Sequence, residues 1–153
     1  MSGAPSSDRC IAVSTRLLRS PSKPGPNSFT TTSPTMKVGP WRFFAGQVPS
    51  ADFKSAVTVP AGLRVHRSDI EEQTRFTMQI LSEQLEANET DWAHCHHVRI
   101  YLTEPKRDYR EFVRVWREYF PDPAKAPALA YVPSTGIMFH GPVIEIDPSG
   151  VAR

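Results

Sequence analysis

The chain predicts an α+β fold in which a mixed β-sheet carries two helices on one face. Three observations predict it. Short runs of β-branched and aromatic residues alternate in character near both ends and in the middle of the chain. Two longer stretches, starting near Ser68 and near Asp108, repeat their apolar residues at helical spacing instead. The order is therefore strands, helix, strand, helix, strands, which segregates the helices to one side. A length of 153 residues fits one domain able to bury a core without staples.

The first 36 residues stand apart from residues 37–153, which form the expected globular domain. They are rich in Ser, Thr and Pro, and their only acid is Asp8. Three readings stay open for this extension. Cys10 to Leu18 alternates like an edge strand. The composition also fits a flexible tail, and Arg9, Arg16 and Arg19 fit a mitochondrial presequence. Ser20 to Thr35 reads as a loop. Trp41 to Val48, opened by Gly39-Pro40 and closed by Pro49, reads as a buried strand, and Gly46 within it suggests a bulge or close backbone approach. A short strand and loop are expected between Ser55 and Val65.

Ser68-Asp69-Ile70-Glu71 has the pattern of a capping box, with Ser68 as the cap. The helix it opens should reach about Asn88 and place Ile70, Thr74, Thr77, Met78, Leu81 and Leu85 on one face. Val98 to Leu102 is a strand with Val98, Ile100 and Leu102 on one face and His97, Arg99 and Tyr101 on the other. That polar face, uncovered by helix, needs solvent or a partner. Pro105 and the charges after it read as a turn. Asp108 then caps a second helix with a stripe of Tyr109, Phe112, Val113, Trp116 and Phe120, stopped by Pro121 and Pro123. Ala128 to Val132 and Ile137 to Ile146 supply the last strands, separated by a turn at Pro133 to Gly136.

Composition excludes several classes. A net charge of +2 gives no basis for a nucleic-acid partner, and no apolar run reaches the ~20 residues of a membrane helix. Cys10 and Cys95 lie far apart, which suits free thiols in a reducing compartment and points to the cytoplasm. His94, Cys95, His96 and His97 resemble a metal cluster, but neighbours on a strand point to opposite faces, so no metal or other cofactor is expected.

Four pieces of the chain, in order, carry a family resemblance. VGPWRFFAGQVP, the capped helix with Gln73, Thr74 and Leu85, the unit HHVRIYL followed by a helix ending WREYFP, and the terminal VIEID together resemble the RidA/YjgF family over roughly Lys37 to Asp147. The later half of tandem proteins in that family is similar too. The resemblance implies a chorismate-mutase-like RidA fold, assembly as a homotrimer, and small-molecule clefts between neighbouring subunits. Many members hydrolyse enamines and imines. By position, the family's water-holding glutamate becomes Glu145 and its strand glycine Gly46. The helix asparagine becomes Val113, and the residue two past the family arginine becomes Tyr131. The family's Gly-Pro-Tyr falls loosely on Gly25-Pro26-Asn27, and Ala45 stands where Ser is usual.

The arginine itself, which the family uses as a carboxylate clamp, becomes Leu129 when counted from Pro127-Ala128, or Ala130 when counted back from Glu145. Neither carries a charge. A carboxylate desolvated without a partner costs several kcal/mol, so efficient hydrolysis of 2-imino acids is not expected. Arg99 is either a substitute cation or a structural arginine of the trimer interior. Glu145 is either an acid-base group or a paired strand carboxylate. Tyr131 either bonds a ligand or fills space. His140, near the last strand, reads as a surface residue.

Two functions follow. One is a divergent enzyme acting on an enamine, imine or related carbonyl compound without the clamp, with Glu145 managing water or proton. The other is a non-catalytic ligand-binding or interaction module. Nuclease activity, claimed for some relatives, finds neither a two-metal carboxylate cluster nor a basic stripe here.

Overall fold

A computed structural model describes residues 18–19 (backbone only), 33–49, 69–137 and 141–153. Within them a six-stranded sheet runs β1-β2-β3-β6-β4-β5. Its strands are β1 (Leu18–Arg19), β2 (Thr35–Val38), β3 (Trp41–Phe44), β4 (Cys95–Leu102), β5 (Ala128–Pro133) and β6 (Ile144–Val151). β4 and β5 pair in parallel and every other pair is antiparallel, so the sheet is mixed as expected. Helices α1 (Ile70–Ala87) and α2 (Pro105–Tyr119) pack on one face of it. The core joins Ile70, Met78 and Leu81 of α1, Phe112 and Trp116 of α2, Val98, Ile100 and Leu102 of β4, and Ile144 and Ile146 of β6. Each large side chain buried there stabilises the fold by about 1.5–3 kcal/mol.

Helix α1 matches its expected face: Ile70, Thr74, Thr77, Met78, Leu81 and Leu85 are all buried. The two threonines sit among apolar neighbours because each hydroxyl donates to a carbonyl one turn back, Thr74 to Ile70 at 2.6 Å and Thr77 to Gln73 at 2.8 Å. The cap is not the one expected. Asp69 is the N-cap, and its carboxylate accepts the Glu72 amide at 3.1 Å. Ser68 lies outside the described residues. At the other end, α1 has no basic residue in its last turn. The guanidinium of Arg42, 6% exposed on the helix side of β3, donates to the Asn88 carbonyl at 3.0 Å and supplies positive charge at that terminus. Arg75 with Glu118 and Arg114 with Glu71 link the outer surfaces of the two helices. Pairs this exposed contribute little.

Further expectations are corrected. Pro105 opens α2 rather than making a turn, because its missing N–H is harmless at a first helical position. Asp108 is therefore inside the first turn and not a cap. It is buried, and Arg107 holds its carboxylate at 2.6 and 2.8 Å. The α2 stripe includes Val115, which is buried, while Tyr109 is 45% exposed. A strand that was not expected, β2, also forms and takes in Thr35 from the end of the expected loop: Gly39 at φ +56° makes the first central residue of a two-residue turn that folds Thr35–Val38 back on β3. Strand β3 itself stops at Phe44, with Gln47 making only an isolated bridge to Ile146.

The last correction is β6, which runs Ile144–Val151 instead of ending at Ile146. Alternation continues through the buried Pro148 and Gly150, residues that read as strand breakers. Gly150 is needed there. A Cβ on it would lie 2.6 Å from the His94 carbonyl oxygen and 3.1 Å from Cys95 Cα, both backbone. Gly150→Ala is expected to lose about 1–3 kcal/mol, as overpacked sites do. Urea unfolding of the variant checks this. The strand expected at Cys10–Leu18 enters the described residues only as Leu18, in β1. The expected loop at Ser20–Thr35, the strand between Ser55 and Val65, Gly25-Pro26-Asn27 and His140 lie wholly or almost wholly outside them.

Candidate functional site

Among the described residues the sheet's second face carries no helix. Cross-strand partners share a face, and the register places Tyr101 opposite Glu145, Arg99 opposite Asp147 and His97 opposite Ser149. Phe43 pairs with Ser149 and Trp41 with Val151, so two aromatic side chains, each 46% exposed, continue the same face. Glu145 is held there by strand β6. The entry of that strand is set by the buried Gln73 of α1, which donates to the Gly141 carbonyl at 3.3 Å and accepts from the Val143 amide at 2.8 Å.

Gly46 meets the Glu145 carboxyl group. A Cβ at Gly46 would lie 2.9 Å from Glu145 Cδ and 3.1 Å from Cγ, so glycine is what leaves room for the carboxylate. The two are joined through backbone as well. Gln47 donates to the Ile146 carbonyl at 2.8 Å and accepts from the Ile146 amide at 2.9 Å. Its side chain is fully buried, and its amide donates to the Gly46 carbonyl at 3.2 Å. Among the described residues Gln47 Oε1 has no hydrogen-bond partner. Burial, then the neighbouring Asp147, pushes the Glu145 carboxyl above its ordinary range. Asp147 is raised by burial too, against the opposing pull of Arg99. A half-buried carboxyl group whose pKa is raised by burial is a candidate for taking and giving a proton. Gly46→Ala should push the Glu145 side chain aside while leaving the fold intact, which thermal melting of the variant checks.

Arg99 lies on the same face, two residues along from Tyr101, and donates to Asp147 at 2.7 Å. Its charge is thus already matched by a carboxylate.

The remaining sequence-predicted residues sit elsewhere. Leu129 pairs with Val98 and Tyr131 with Ile100 on β5, which puts both on the helix-covered side. Leu129 and Val113 are half-buried against the apolar core. Tyr131 is 41% exposed, edge-to-face with Tyr109 at 5.2 Å and with Phe112 at 6.0 Å. Burial, then Tyr109, pushes the Tyr131 phenol up to about 12, so it stays protonated. Ala130, the alternative position for the lost arginine, pairs with Arg99 and so belongs to the open face. The structure therefore divides the predicted site in two. Gly46, Glu145 and Arg99 share the open face. Val113, Leu129 and Tyr131 line the helix side of the edge strand.

Sequence reasoning missed Gln47, Asp147 and Tyr109 as parts of these groups. Gln47 had a signal, since it follows Gly46 in the quoted motif. Tyr109 had none, because its spacing counted it into the core stripe.

The histidine run disperses as alternation requires. Cys95 is buried beside Phe44 and Leu85, and burial pushes its thiol up to about 12. His94 bonds Asp91 at 2.7 Å, and His96 stands edge-to-face with Trp41 at 5.2 Å. Among the described residues no three His, Cys, Asp or Glu side chains converge as a metal site. No helix among them is long and apolar enough to cross a membrane.

The family described as endoribonuclease L-PSP matches residues 24–150. No curated protein matches the chain. Among solved structures, yeast Mmf1 is similar with a TM-score of 0.72 and 18% identity, over 90% of this chain and 99% of that one. NMB1025 of Neisseria meningitidis, a member of the YjgF protein family, gives 0.63 and 24% over 80% and 87%. Rv2704 of Mycobacterium tuberculosis, of the YjgF/YER057c/UK114 family, gives 0.62 and 24% over 79% and 86%. These likenesses establish the fold, and the match along most of the sequence establishes the lineage: the chain belongs to the RidA/YjgF family.

Proposed function

We propose that the protein is a hydrolase of enamines or imines, or of related carbonyl compounds, that lack a carboxylate beside the reacting carbon. The observation that carries this reading is the Glu145 carboxyl group, half-buried with a raised pKa and accommodated by Gly46. In the proposed reaction Glu145 takes a proton from water as the water oxygen bonds the imine carbon. Glu145 returns that proton to nitrogen to give a carbinolamine, and the proton of the new hydroxyl group then moves to nitrogen as the C–N bond breaks, so that ammonia leaves a carbonyl product. No cofactor enters the scheme.

The two halves of the site face opposite sides of one sheet, so a single chain cannot bring them together. We propose that a neighbouring copy does, in a homotrimer whose subunits cover one another's open faces. The exposed Trp41 and Phe43 support this, since apolar surface of that kind marks contact sites. Light scattering on the purified protein should give three times the chain mass of 17.1 kDa. A monomer at micromolar concentration would end this proposal. The enzymatic reading is tested by ammonia release from imines generated in place, with and without a carboxylate.

A second reading, ligand binding without catalysis, is favoured by one observation: Leu129 is packed against the core where the family clamp would stand. Absence of turnover across the whole panel would select it.

A further inference from the structure

Resting on the intersubunit cleft proposed above, we infer that its ligand is an uncharged molecule whose group beside the reacting carbon is aromatic, received by Tyr109 and Tyr131. Two exposed tyrosines stand together on one wall, 45% and 41% accessible, with ring centroids 5.2 Å apart at 75°. Phe112 backs them at 6.0 Å from Tyr131. Leu129, two residues from Tyr131 on the same face of β5, and Val113, one turn along α2 from Tyr109, are half-buried against the core behind them. Aromatic rings pair best edge-to-face or offset, and this cluster leaves both tyrosines room to take a third ring.

Charge points the same way. A carboxylate needs a planar cation or several donors before its desolvation is offset. The tyrosine wall offers neutral phenols, and the Tyr131 hydroxyl remains a neutral group at working pH. The opposing face offers Glu145 and Asp147, and its guanidinium, Arg99, is held by Asp147 at 2.7 Å. An anionic ligand would meet carboxylates without a free cation among these residues. A neutral amide, ketone or imine meets phenol hydroxyls that can both donate and accept.

The test uses phenylacetamide and phenylacetate, which share a ring and differ in charge, titrated calorimetrically into the full-length protein. Phenylacetamide is expected to bind about 100-fold more tightly, the scale of an uncompensated carboxylate. Tyr131→Ala and Tyr109→Ala should each weaken it about 3- to 10-fold, as loss of an aromatic pair does. Both side chains lie partly exposed at the surface, so these variants should fold, and circular dichroism and light scattering check it. Acetamide, which lacks the ring, should bind no better to the parent than to either variant. The inference is overturned if phenylacetate binds as well as phenylacetamide, if neither binds, or if both alanine variants bind phenylacetamide like the parent. Tyrosine-dependent binding without turnover of any imine would uphold the inference and remove the catalytic reading instead.

Discussion

Glu145→Gln is expected to lower turnover of the best imine by about 10²–10⁴-fold, the usual contribution of one general acid or base. The amide keeps the shape of the side chain beside Gly46 and cannot exchange a proton at this site. Its effect on stability should run the other way. Burial and Asp147 hold the folded-state pKa of Glu145 above its unfolded value. A carboxyl group raised in this way costs stability once it ionises. The cost is complete above the folded pKa and vanishes below the unfolded one. The Gln variant should therefore melt higher than the parent at neutral pH, with the gap closing as pH falls through the ordinary carboxylate range. Melting curves at several pH values, paired with ammonia release, read both effects. Unchanged turnover would falsify the assignment of Glu145 to the chemistry.

Leu129→Arg is expected to raise kcat/KM for a 2-imino acid by about 10- to 100-fold, from charge-assisted bonds of about 1.5–3 kcal/mol. Leu129 is half-buried, so the aliphatic stem of the new side chain can cover the same core surface while its head reaches toward the proposed cleft. A stability loss of about 1–3 kcal/mol is expected from the imperfect fit. Leu129→Lys should gain less, since an ammonium cannot match the planar fork. The gain belongs mainly in KM, because a carboxylate away from the reacting carbon is held alike in ground and transition states. A folded Arg variant with no new preference for carboxylates would mean that position 129 does not face the ligand.

The faces of the regular elements could be read from the sequence, because periodicity reports directly on burial. Val98, Ile100 and Leu102 went inside, and every residue expected on the inner face of α1 is buried, although Gln73 and Ile80 join them there. Gly46 and Glu145 were singled out only through the family resemblance, and their direct contact is visible only in the structure. Element ends were harder. Pro105 has the same local chemistry in a turn and at a helix start, and only packing of Phe112 and Trp116 decides between them. Pro148 and Gly150 break strands on propensity, yet pairing with β4 and β3 carries β6 through them. The division of the site was beyond reach. It depends on β5 lying parallel to β4 with Leu129 opposite Val98, and no spacing within the chain states a register between distant strands.

The placement of the indole rings has a practical consequence. Trp92 and Trp116 stand edge-to-face at 6.4 Å around Phe120, and the Trp92 ring nitrogen donates to Ser82 at 2.8 Å. Trp41 sits apart on the uncovered surface next to His96. With three indoles in the chain, fluorescence divides by location. In the proposed homotrimer one fluorophore would report on subunit docking and the other two on loss of the interior, so dissociation and unfolding would be separable by collisional quenching in a single titration.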